Sequence, residues 1–96
     1  MTTIALGDTL DISCVSALRD WLLVALEESR TLHLNVGDLE RVDTAGLQLL
    51  AAALIDARSR GVAVTLAGSS EVLESGMRLL GLEDLLTATE RVAVDQ

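Results

Sequence analysis

Leu39-Glu40-Arg41-Val42-Asp43-Thr44-Ala45-Gly46-Leu47-Gln48-Leu49-Leu50 joins two segments of different periodicity. Before it, Thr31-Leu32-His33-Leu34-Asn35-Val36 alternates polar and apolar, the pattern of a half-buried strand. After it, Leu47, Leu50, Ala51, Leu54 and Ile55 recur at helical spacing up to Gly61. Asp43-Thr44-Ala45-Gly46 therefore lies where a strand and its loop give way to a helix. A hydroxyl beside a carboxylate is expected at the exposed N-terminus of a long apolar helix.

Outward from this point the same two periods repeat. Thr3 to Leu6 reads as a short strand with Ile4 and Leu6 on one face, followed by a turn at Gly7-Asp8. A helix is predicted to start near Asp11 or Ser13, either of which can cap its free amides. Its buried face is Val15, Leu18, Leu22, Ala25 and Leu26, and Trp21 and Leu23 widen the apolar stripe. The central helix is predicted from about Ala45 to Arg60, with Arg58 and Arg60 near its negative end and Gly61 beyond it. Val62 to Ala67 is the next strand, with Val62, Val64 and Leu66 inward. Val72, Leu73, Gly76, Met77 and Leu80 define a third helix that stops at Gly81. Leu82, Leu85 and Leu86 add a further turn, and Arg91 to Val94 reads as a last edge strand. The alternation of strands and helices implies an α/β fold with a parallel or mixed β-sheet. Strands buried on both faces are apolar throughout, whereas these alternate, so the helices are expected mainly on one face.

Ninety-six residues fit one domain, residues 1–96, and half of them are apolar. With no Phe, Tyr or Pro and a single Trp, the core must be built of Leu, Val, Ile and Ala. No run reaches the length of a membrane span, and Met1-Thr2-Thr3-Ile4 does not open like a signal peptide. The lone Cys14 cannot form an internal disulfide, and these features together suit a cytoplasmic protein. Fifteen acidic against seven basic residues leave a formal charge of -8, which argues against nucleic acid and anionic lipid as direct ligands. A basic protein partner remains compatible with it.

Reactive groups are scarce. His33, the single histidine, falls on the polar face of a strand and has no evident role as a base. Cys14 lies near a helix start but lacks a base partner and reads as a small apolar filler. No glycine-rich phosphate loop and no pair of ligands at metal spacing stands out. The chain is expected to be non-catalytic, without cofactor or metal. Thr44 remains. Its hydroxyl, or the Asp43 carboxylate, can cap the central helix for about 1 kcal/mol. A hydroxyl here is also suited to carry a phosphate, because helix N-termini tolerate anions. Gly46 lets another backbone approach closely.

Asp43-Thr44-Ala45-Gly46-Leu47 resembles the Asp-Ser/Thr-x-Gly-Leu signature of STAS domains, the anti-sigma factor antagonist family. Asp8-Thr9-Leu10-Asp11, Gly61 to Gly68 and Leu79-Leu80-Gly81-Leu82 are similar to further segments of that family, so the likeness spans nearly the whole chain. The resemblance implies a STAS-like mixed sheet and a module that binds partner proteins. In the antagonist branch the residue matching Thr44 is phosphorylated by an anti-sigma factor that is a serine kinase, which prevents binding. The surface around the acceptor then corresponds to Asp11, Asp43, Thr44, Ala45, Gly46 and Gln48.

Arg41-Val42-Asp43-Thr44, followed by Gly46-Leu47 and Leu49-Leu50, is at least as similar to a second branch, the STAS subunit of the bacterial phospholipid-trafficking ABC transporter. There the loop docks constitutively on the ATPase subunit. Free-standing STAS partners of chemosensory kinases are a third. Ala45 and Gln48 depart from the antagonist pattern, which often has Ser or Thr and then Gly at those places. The family's usual extra strand before the one at Ile4 has no counterpart here, leaving a sheet edge or surface open to self-association as a homodimer.

Overall fold

Alternating apolar residues pair the strands of this chain, and longer apolar stripes pack its helices on them. The computed structural model describes residues 2–28 and 30–92. The order is β1 (Thr2–Ala5), β2 (Thr9–Leu10), a 3-10 turn (Ile12–Cys14), α1 (Val15–Glu27), β3 (Thr31–Asn35) and β4 (Arg41–Val42). Then follow α2 (Thr44–Ser59), β5 (Ala63–Ala67), α3 (Glu71–Leu79), α4 (Glu83–Ala88) and β6 (Glu90–Val92). Four strands form one sheet in the order β1-β3-β5-β6, and β2 pairs with β4 in a separate ribbon.

The α/β architecture with helices on one face is the one the alternation implied. Ile4, Leu34 and Leu66 stand in one cross-strand row and are all buried. The adjoining row, Thr3, His33 and Thr65, points away from the helices and contains only polar residues. His33 is half-buried and meets the Thr65 hydroxyl through its ring nitrogen Nδ1. Every strand pairing among the described residues is parallel, which decides between the parallel and the mixed sheet that were expected. The helices between successive strands of the main sheet return the chain to the same end each time.

Leu10, Leu34, Leu50, Leu66, Leu73 and Met77 are essentially sealed from solvent, and Leu18, Leu22, Ala25, Leu47 and Leu54 complete the core from α1 and α2. Val15 and Leu26, expected inside, are half-buried at the margin of α1, as is Trp21, while Leu23 is exposed. Cys14 is half-buried against the core with its Sγ 3.7 Å from the Thr9 carbonyl. α2 starts and ends one residue earlier than expected, whereas α1 begins only at Val15, after the 3-10 turn that Asp11 caps. The third helix stops before Gly81, as expected, where a φ of 72° is left-handed, and the further turn beyond it is α4. The last strand is Glu90–Val92, and the expected continuation through residues 93–94 lies outside the described residues. Among the described residues, no helix is long and apolar enough to cross a membrane.

Candidate functional site

The site forms beyond the C-terminal ends of β1 and β3, where two loops are stitched together. The Asp8 carbonyl accepts from both the Glu40 amide (2.9 Å) and the Arg41 amide (3.0 Å). Thr9-Leu10 then pairs in parallel with Arg41-Val42, and the Asp43 amide donates to the Leu10 carbonyl at 3.2 Å. Both short strands run directly into an aspartate, Asp11 and Asp43, and each aspartate opens a helix.

Asp43 has extended backbone (φ -116°, ψ 173°), the conformation of an N-cap. Its Oδ1 accepts from the Gly46 amide at 2.6 Å, and its carbonyl accepts from the Leu47 amide at 2.9 Å. Of the two candidates for the cap, the carboxylate takes it. Thr44 begins the helix proper, is exposed, and its hydroxyl makes no hydrogen bond to a described residue.

Asp11 sits in the corresponding place on the other unit. Its Oδ1 accepts from the Ser13 hydroxyl and from the Ser13 amide, the latter at 2.9 Å. These two donors stabilise the ionised form and hold the Asp11 carboxyl below its ordinary value. Ser13 is exposed, but its hydroxyl is tied to Asp11.

Gly46 has a different place from the others. It is buried, and a Cβ added there would fall 2.2 Å from the Leu10 carbonyl oxygen and 2.8 Å from the Asp11 amide nitrogen. Only a residue without a side chain lets the first turn of α2 lie against the β2 loop. Gly46 therefore holds the two units together and offers no side chain to the surface. Asp43, Thr44 and Gln48 are exposed, while Asp11 and Ala45 are half-exposed.

Two features of this surface were missed from sequence. Ile12 is 61% exposed, because the turn that opens α1 is 3-10 and directs this residue away from the core. An open groove of about 470 Å³ also runs from Asp43 and Thr44 along α3, lined by Val42, Leu47, Val72, Gly76, Leu79 and Leu80. Helical spacing placed Val72 and Leu80 in the third helix without saying which face is covered, and both are 37% exposed. The doubled apolar pairs Val72-Leu73 and Leu79-Leu80 were the available sign that α3 has two apolar faces. Among the described residues, no group of three or more His, Cys, Asp or Glu side chains is arranged to hold a metal ion.

The family described as "Mlab, STAS domain" matches residues 1–87. No curated protein is similar enough in sequence to match. The fold is similar to that of the anti-sigma factor antagonist SpoIIAA in its unphosphorylated form. The TM-score is 0.67 at 18% identity, covering 98% of this chain and 79% of that one. It is also similar to a Thermotoga maritima protein, tm1081, described as a candidate anti-sigma factor antagonist. There the TM-score is 0.65 at 21% identity, covering 97% of this chain and 80% of that one. With a family match over most of its length and the same fold in these structures, the chain belongs to the STAS domain family.

Proposed function

We propose that the protein is a non-catalytic interaction module of the anti-sigma factor antagonist type, switched by phosphorylation at Thr44. The observation that carries this reading is the division of labour at the start of α2. Asp43 makes the cap, so the Thr44 hydroxyl is exposed and has no structural duty. Asp11, Asp43, Ala45 and Gln48 surround it as the partner surface, and Gly46 sets the close approach beneath. A phosphate on Thr44 adds about -1.5 to -2 charge at neutral pH. Beside Asp43 that charge is repelled, while the helix N-terminus attracts it. The domain stays folded and the partner, an anti-sigma factor with kinase activity, is released.

A second reading is favoured by the family description itself. In it, the protein is a constitutive STAS subunit that binds the ATPase of a phospholipid-trafficking ABC transporter, and Thr44 is a contact that is never phosphorylated. Either reading is compatible with a cytoplasmic location and with one STAS domain over residues 1–96. A role beside a chemosensory kinase shares the surface but has no observation of its own.

The test uses the partner recovered with the wild-type chain, and compares Thr44→Ala with Thr44→Glu. A switch predicts that Glu weakens binding far more than Ala and that native protein carries phosphate on Thr44. A constitutive contact predicts that both weaken binding and that no phosphate is found. Wild-type affinity in both variants would remove Thr44 from the interface and overturn both readings.

A further inference from the structure

Leu79 is 87% exposed at the end of α3, and it belongs to a larger apolar surface. Val72, Gly76 and Leu79 recur at i, i+4 and i+7 on the face of α3 that lines the groove beside α2. Leu73 and Met77 occupy the neighbouring face and are fully buried. Folding thus covers one apolar face of α3 and leaves the other open. Gly76 allows α2 to lie close beneath, since a Cβ there would meet Leu47 Cδ1 at 2.7 Å.

The groove has an acidic end and an apolar end. Ser70 caps α3 by accepting from the Leu73 amide, and its hydroxyl also donates to the Leu39 carbonyl at 3.0 Å. This ties the start of α3 to the segment that leads into β4 and α2, so both helices begin at the same end. Asp43 and Thr44 line that end, the exposed Glu71 lies outside the lining in the first turn of α3, and Leu79 and Leu80 lie at the far end of α3. Asp43 is the single ionisable residue of the lining, and no lining residue is basic.

We propose that this groove seats an amphipathic helix of a protein partner. The helix would place two apolar side chains against the Val72–Leu79 face and a Lys or Arg over Asp43. The proposal rests on the reading of the Thr44 surface as the partner site and extends that site along α3. Val72 and Leu79 are seven residues apart, a rise of about 10 Å, which spans two turns of a docked helix. Paired helices present such a groove to a third helix with apolar anchors at i and i+4 or i+7. The charge of -8 makes a second copy of this chain a poor occupant and an anionic lipid a worse one. The arrangement also explains how one phosphate could release the partner. One cation offsets Asp43, but it does not offset Asp43 together with a dianion at the mouth of an apolar contact.

A photo-crosslinking residue placed singly at position 79 or position 48 of the full chain, in the native host, tests this. The expected crosslink from position 79 is to a helical segment of another protein, with apolar residues at i and i+4 or i+7 and a Lys or Arg. With that partner purified, Leu79→Ser is expected to weaken binding by about tenfold or more, as loss of an interface anchor does. Asp43→Asn keeps a capping residue, and is expected to weaken binding several-fold and flatten its salt dependence. Crosslinks from position 48 with none from position 79 would overturn the groove and leave the Thr44 surface standing. Crosslinking of position 79 to a second copy, to lipid or to an acidic segment would also overturn it. Silence at both positions would overturn the groove and the Thr44 reading together.

Discussion

The chain builds the same unit twice, side by side, and uses the two copies differently. In each, a two-residue strand ends in an aspartate that caps a helix: Leu10 then Asp11, and Val42 then Asp43. Asp11 turns its carboxylate onto Ser13, two residues on, and takes both the amide and the hydroxyl. The result is a 3-10 turn before α1. Asp43 reaches the amide three residues on, at Gly46, and a regular α-helix starts at once. One hydroxyl is thereby consumed by its own cap, while the other, on Thr44, is left outside it. Two hydroxyls of similar chemistry end with different availability because the carboxylate beside each spans a different number of residues.

The largest expected effect breaks the contact between the two units. Gly46→Ala puts a Cβ against the Leu10 carbonyl, where backbone must yield. A loss of about 3 kcal/mol is expected, at the upper end of typical overpacking costs, and urea denaturation measures it. A midpoint equal to wild type would show that α2 does not lie against Leu10 and Asp11. Gly76→Ala is the milder control, since its obstacle is the movable end of Leu47.

Next comes the cap itself. Asp43→Ala is expected to cost about 1 kcal/mol, whereas Asp43→Asn should stay within a few tenths because asparagine caps as well. Thr44→Ala should change stability by no more than about 0.5 kcal/mol, as an exposed residue outside the cap does. If Thr44→Ala proved as costly as Asp43→Ala in thermal unfolding, the hydroxyl would share the capping role and the contrast between the units would fail.

The smallest effect concerns Asp11. Its carboxyl is held down by the Ser13 hydroxyl and then by the Ser13 amide. A carboxylate lowered in the folded state contributes stability above its ordinary titration range, and that contribution is lost as pH falls through its folded value. Ser13→Ala removes the first donor, so the Asp11 titration followed by carbon NMR should move up toward an ordinary aspartate. An unmoved titration would mean that the hydroxyl is not bound to Asp11 in solution.

Much of this protein was legible in one dimension. Local periodicity sufficed for β1, β3, β5, α1 and α2, because a strand with one wet face must alternate and a helix on a sheet must carry an apolar stripe. The position of Asp43-Thr44 at a strand-to-helix junction followed from the same periods, and the resemblance to STAS domains rested on the residues of that junction. The β2–β4 ribbon was not legible, since two residues in each strand hold no period and their pairing depends on a carbonyl of Asp8 reaching across the fold. Which of Asp43 and Thr44 makes the cap was open as well, because both side chains can reach a free amide and only the rotation of the loop chooses. Gly46 was read both as a point of close backbone approach and as part of the partner surface, and it is buried against the Leu10 backbone; Val72, read only as part of a helix, lines a groove with Leu79. Each of these was decided by how closely α2 approaches the β2 loop and α3, a distance between segments far apart in the chain that no single segment encodes.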